Sequence, residues 1–141
     1  MHRPDEGLTY QIGNRPELAK HLNLPIVCDF RVQDVKLGGQ GAPLVPIGDR
    51  LLFSEYDYCV NLGGFANISF ENTQQRRIAF VICPVNIVLN HYAKYLGFDY
   101  DDGGKIAESG KLNPVLLETL NQLAYYKKPA PKSLGLEWVN T

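Results

Sequence analysis

The sequence has no excess of charge of either sign: 14 basic residues stand against 15 acidic ones, for a formal net charge of −1. No summed positive field exists to attract a phosphate backbone or an anionic surface, so neither nucleic acid nor a membrane is expected as a partner. Cysteine is scarce and odd in number. Cys28, Cys59 and Cys83 lie far apart, each inside an apolar stretch; they are expected to be reduced core thiols of a cytoplasmic protein, not a zinc site or a disulfide framework. Long apolar runs are also missing. The longest, around "IAFVICPVNIVL", is interrupted by Pro84 and Asn86 and is too short to span a bilayer. The opening "MHRPDEGLTY" is acidic and polar where a secretory signal would need a basic end and then an apolar run. His2, His21 and His91 share no metal spacing, and His91 is expected on a solvated helix side. Neither GxGxxG nor GxxxxGK[ST] occurs, which leaves a Rossmann or P-loop nucleotide site without support.

What is present is an ordinary globular composition, 45% hydrophobic, 11% aromatic and 21% charged over 141 residues. A chain of this length buries about 70% of its unfolded surface and needs no staple, as one domain or as two small lobes sharing a sheet. "LTYQI" (8–12) alternates like a strand. "GNRPELAKHLN" then predicts a helix with Asn14 as N-cap, Pro16 in the first turn and Glu17 at the capping-box position. "LPIVCDF" (24–30) is a continuous apolar run ending in an acid, which predicts a buried strand with Asp29 at its open end. Residues 43–53 predict a short helix interrupted by Gly48. "YCVNLGG", "FANISFE" and "RRIAFVIC" (58–64, 65–71 and 76–83) predict an antiparallel meander. From Pro84 the period becomes helical, with Val85, Val88, Leu89, Tyr92, Ala93 and Leu96 on one face and Gly97 at the end. A short helix is expected within "DYDDGGKIAESGK", and a further one opens at Asn113 and Pro114. The tail "YYKKPAPKSLGLEWVNT" reads as a Pro-rich connector, and there is no internal repeat.

Two stretches carry candidate chemistry. In "CDFRVQDVKLGGQGAPLVP" (28–46), Asp29, Arg31 and Asp34 stand directly ahead of Gly38, Gly39 and Gly41. An acid beside an arginine is held ionised and oriented, and can act as a general base. From spacing alone the favoured reading is two turn-capping acids with Arg31 as their surface ion-pair partner. The glycines let backbone approach a ligand and present N–H groups to an anion, or they make a tight connection. In "VNLGGFANIS", Asn61 and Asn67 flank Gly63 and Gly64, and a strand-turn-strand of this kind either wraps a phosphate tail or is a plain hairpin.

Taken in order, "HRPDEGLTYQIGN", "DFRVQDVKLGGQGAPLVP", "VNLGGFANIS", "DDGGKIAESGKLN" and "PAPKSLGLEWVN" span nearly the whole chain, which resembles the anhydro-N-acetylmuramic acid kinases of bacteria. The resemblance implies an α/β fold of RNase-H-like lobes, of the actin and hexokinase type, with flanking helices and a nucleotide cleft. Residues 1–54 would be part of the N-terminal lobe with the sugar-site loop, and 55–141 the start of the C-terminal lobe. The implied activity uses ATP and magnesium to open the anhydro bond of the amino sugar and phosphorylate the freed O6. Asp34 is similar in position to the family's general base. Asp29 and Arg31 would shape the sugar pocket together with Gly39, Gln40 and Gly41, and Gly63, Gly64 and Asn67 would lie on the phosphate side. No metal-ligating residue is implied. The chain would correspond to the middle of such an enzyme, with the first phosphate loop expected before residue 1 and adenine contacts after the end, so the isolated chain is expected to be inactive. Uncovered sheet ends make a homodimer an expectation. One departure stands out: "FVICPVN" has Val81 where the family has an acid and Cys83 where it has glycine. The strand ends beside Pro84 and a helix start, so position 81 is expected to face the phosphates and an acid restored there to raise activity; the alternative is that Val81 is core and the acid only destabilises. The alternative class is a noncatalytic relative acting as a sugar-binding or structural module.

Overall fold

The computed structural model describes residues 2–3, 6–10 and 17–140. In chain order, a ribbon of β1 (His2–Arg3) and β2 (Leu8–Thr9) precedes helices α1 (Glu17–Leu22), α2 (Phe30–Lys36) and α3 (Pro46–Leu52). The strands β3 (Tyr58–Leu62), β4 (Phe65–Glu71) and β5 (Arg77–Pro84) follow, and then α4 (Asn86–Tyr95), a 3-10 turn at Asp102–Gly104, α5 (Lys105–Ser109), α6 (Pro114–Asn121), α7 (Ala124–Lys127) and α8 (Leu136–Val139).

The meander forms as its alternation predicts, antiparallel in the order β3-β4-β5, with Asn61 opposite Asn67 and Asn67 opposite Val81. Successive side chains point to opposite faces, so Cys59, Asn61, Asn67, Ser69, Glu71, Arg77 and Val81 share one face. Tyr58, Val60, Ile68, Phe70 and Phe80 share the other, where Tyr58 packs on Phe70 at 5.4 Å and Phe70 meets Phe80 edge-on at 6.5 Å between ring centroids. The mainly polar face receives α3, through Asp49 to Ser69 and Arg50 to Glu71.

The tail is not a connector. Tyr125 and Leu134 form a core cluster with Val81, and Phe65 and Trp138 pack against it. The Tyr125 hydroxyl donates to the Val81 carbonyl at 2.5 Å, and the Val81 N–H donates to the Lys132 carbonyl at 3.1 Å. Lys132 in turn sits 4.7 Å over the Tyr125 ring and donates to the Tyr125 carbonyl. The tail therefore runs along the outer edge of β5 and satisfies backbone groups that an edge strand leaves open. Val81 is 4% exposed and belongs to this core.

Three other expectations change. Residues 24–29 form no strand; Val27 is 80% exposed, and helix begins at Phe30. A buried strand needs ladder partners on both edges, and among the described residues none lies beside this segment, so its apolar side chains stay uncovered. Cys28 is exposed for the same reason, whereas Cys59 and Cys83 are half-buried, and none of the three is in a disulfide. On α4, Ala93 is buried but Leu89, Tyr92 and Leu96 are exposed. The proposed N-cap Asn14 and Pro16 lie outside the described residues, whereas Asn113 does cap α6, accepting from the Leu116 N–H at 3.1 Å. The chain exposes 10913 Å², against about 7,300 Å² expected of a folded monomer of this size.

Candidate functional site

Asp29 adopts the left-handed region at φ 67°, and its carbonyl accepts the Gln33 N–H at 2.9 Å to start α2. After Lys36 the chain reverses. Gly38 (φ 90°) donates to the Val35 carbonyl, and Gly39 donates to the Asp34 carbonyl. The loop then returns over its own helix: the Gly41 N–H donates to Asp34 Oδ2 at 2.7 Å, and Arg31 Nη1 donates to the Gly41 carbonyl at 2.7 Å. Two charged side chains of one helix thus grip both polar groups of Gly41. No larger residue fits this return. A Cβ at Gly41, already at φ 68°, would lie 2.7 Å from Val35 Cγ2, and one at Gly39 would lie 2.2 Å from Asp34 Oδ2.

The second glycine pair is built differently. Gly63 and Gly64 turn between β3 and β4, and their carbonyls point at the start of α4. Gly64 O accepts the N–H groups of Val85 (2.9 Å) and Ile87 (3.2 Å), while Gly63 O accepts Asn86 Nδ2 at 2.9 Å. The hairpin thereby satisfies donors that a helix N-terminus leaves open. Neither glycine has a positive φ, and a Cβ at Gly64 would meet nothing within 4 Å.

A groove of about 550 Å³ lies between these regions. Arg31 and residues 42–45 line one side; Asn61, Gly63, Gly64, Phe65 and Asn67 line the other, with Val81, Leu134 and Gly135 between them and Tyr10 also contributing. Of the candidate residues, the structure brings together Arg31, Gly63, Gly64 and Asn67. Asp29, Asp34, Gly39, Gln40 and Gly41 are not among the lining residues. Leu134 and Gly135 gave no local signal, because the tail reaches the groove only by packing on β5. Asn61 was legible as an amide beside the glycine turn. Two amides and open glycine backbone on one side, with the Arg31 guanidinium, Pro43, Leu44 and Val45 on the other, suit a hydroxyl-rich or anionic ligand with an apolar flank.

Next to the groove, burial pushes the Tyr125 phenol well above its usual range, with smaller contributions from Tyr126 and Cys83. It remains a protonated donor to Val81. Burial raises the Cys83 thiol and, helped by the Cys83 charge, the Tyr126 phenol. Among the described residues no group of three or more His, Cys, Asp or Glu could hold a metal ion, and no helix is long and apolar enough to cross a membrane.

Fold and groove together define an α/β protein with a cleft of small-molecule size, in which a few polar groups stand among apolar ones. The family model of the anhydro-N-acetylmuramic acid kinases matches residues 1–141, and the chain belongs to that family. The anhydro-N-acetylmuramic acid kinase of Rhodopseudomonas palustris is 39% identical over 140 residues, 95% of this chain and 38% of that protein. The kinase of the same name from Hydrogenovibrio crunogenus is 37% identical over 144 residues, 100% of this chain and 39% of its own length. That of Zymomonas mobilis is 39% identical over 138 residues, covering 94% and 38%. The chain spans under two-fifths of the length of these relatives.

Proposed function

We propose that this chain supplies the sugar-site loop and one phosphate-binding hairpin of an ATP-dependent kinase acting on 1,6-anhydro-N-acetylmuramic acid. The observation that carries the reading is the groove itself. Two sequence blocks, one ending in Gly-Ala-Pro at residue 43 and the other running from Asn61 to Asn67, form its opposing walls. In the reaction, water adds to the anomeric carbon, the bond from that carbon to O6 breaks, and O6 takes the terminal phosphoryl group of ATP as ADP leaves. Asp34 is the base that takes the water's proton. Its carboxylate is oriented by the Gly41 N–H and has a second oxygen with which to accept a proton. Arg31, with Asp29 and the Gly39–Gln40–Gly41 loop behind it, shapes the sugar side; Gly63, Gly64 and Asn67 take the phosphate side. The open space where Gly64 would carry a Cβ fits close approach by a phosphate oxygen.

Magnesium fits less well. The groove lining holds amides but no carboxylate, so these residues make no magnesium site alone, and the ion would arrive on the nucleotide phosphates. The division into lobes at residues 54 and 55, each RNase-H-like, belongs to the same proposal, as does a cytoplasmic location. Pairing of two copies is supported by the edge position of β3, whose Tyr58, Val60 and Leu62 are exposed. The names of the relatives favour a kinase over a noncatalytic sugar-binding module.

A specific observation favours a second role for Asp34, as an anchor of the glycine loop through Gly41. Asp34→Asn separates the two, because the amide oxygen still accepts that N–H but cannot take a proton. Assayed in a full-length kinase carrying this chain, Asp34→Asn is expected to keep the fold and lower kcat by roughly 100-fold or more. Turnover near the wild-type value would leave Asp34 as an anchor only.

A further inference from the structure

Ser69 is a polar side chain buried to 2% exposure in the central strand β4. Its hydroxyl donates to Asp49 Oδ2 of α3 at 2.5 Å and accepts from Arg77 Nη2 of β5 at 2.9 Å. The same Arg77 nitrogen reaches Cys59 Sγ of β3 at 3.4 Å. One hydroxyl therefore stands where all three strands and α3 meet. Arg77 Nε is buried there without a partner, a cost tolerated where the rest of the guanidinium is held in place.

Apolar burial does not hold α3 on the sheet. Ile47, Leu51 and Leu52 are 63%, 71% and 72% exposed, and the helix has no buried residue. Its other link, Arg50 to Glu71 at 3.3 Å, joins two well-exposed side chains and is weak in water. The seat of α3 thus depends on Asp49 and Ser69. Because α3 starts at Pro46, directly after the 42–45 wall, that seat also decides how far this wall stands from the Gly63–Gly64 hairpin. We infer that Asp49, Ser69 and Arg77 form a positioning cluster that pins the 42–45 wall against the sheet and so sets the width of the groove. Its consequence for ligand fit rests on the groove being the ligand site.

Hydrogen exchange on the chain as it stands reads the wall with no ligand present. Ser69→Ala is expected to raise exchange at the amides of residues 47–53 by about tenfold or more relative to the β4 and β5 ladder. Ser69→Thr, which keeps the hydroxyl, should restore protection, and Asp49→Ala should match Ser69→Ala. Unchanged exchange in both alanine variants overturns the inference. A uniform rise over the whole sheet overturns it as well, because the cluster would then stabilise the fold without pinning the wall. In a full-length kinase carrying this chain, Ser69→Ala should raise KM for the anhydro sugar about tenfold with little change in kcat. Faster exchange at 47–53 with an unchanged KM would keep the pin and overturn the groove as the ligand site, so the two failures are distinct.

Discussion

The glycines at 38–41 and those at 63–64 answer to different demands. The first group is required by the chain itself: Gly38 and Gly41 occupy positive φ, and added Cβ atoms at Gly39 and Gly41 would collide with Asp34, Val35 and Arg31. The second group has ordinary backbone angles and room beside it. Glycine at 38–41 is explained by folding, whereas at 63–64 nothing among the described residues demands it. The residue freedom left there is what an incoming ligand would use.

The largest expected effect lies beneath the second loop. Val81→Asp buries a carboxylate in the apolar cluster of Tyr125 and Leu134. It should destabilise the chain by about 3–5 kcal/mol. Urea unfolding measures this, and unchanged stability together with new activity would return residue 81 to the phosphate side.

Next comes the self-directed loop. Gly41→Ala adds a left-handed alanine and a close contact with Val35, for a loss of about 2–4 kcal/mol in the same unfolding experiment. A loss under about 0.5 kcal/mol would show that the loop relaxes freely and would dissolve the contrast with Gly64.

Tyr125→Phe should cost about 1–2 kcal/mol, since the Val81 carbonyl loses its donor. It also has a pH signature. Because folding raises the phenol pKa, the associated stability is fully present below the unfolded value of about 10 and is lost as pH rises above it. Stability scans between pH 8 and 11 should fall at the alkaline end for the wild type and less steeply for Tyr125→Phe.

The smallest change in stability, within about 0.5 kcal/mol, is expected for Gly64→Ala. Its mark should be on binding: titration of ATP into a full-length kinase carrying the variant should show affinity about tenfold weaker. A variant that binds normally would make Gly63 and Gly64 a plain hairpin.

Where backbone demand is local, the sequence was readable. The meander follows from two-residue alternation, α6 from Asn113 and Pro114, and the end of α4 from Gly97. The run 24–30 misled because an apolar stretch records a wish for cover, not its presence; whether a strand forms depends on neighbours elsewhere. The same holds for Cys28 and for Leu89 on α4. Within the site, the motif blocks located both walls, but Asp34 turned out to face its own loop, a contact across seven residues that no spacing rule specifies.

The sequence by itself determined the three-stranded meander and the two glycine loops, because alternation and turn chemistry act over a few residues. Only the tertiary structure decided that Val81 is core, that the tail seals β5, and that Arg31 meets Gly63 and Gly64 across one groove. Those facts depend on contacts between residues far apart in the chain, and such contacts form only when burial and hydrogen bonding of the whole unit are satisfied together.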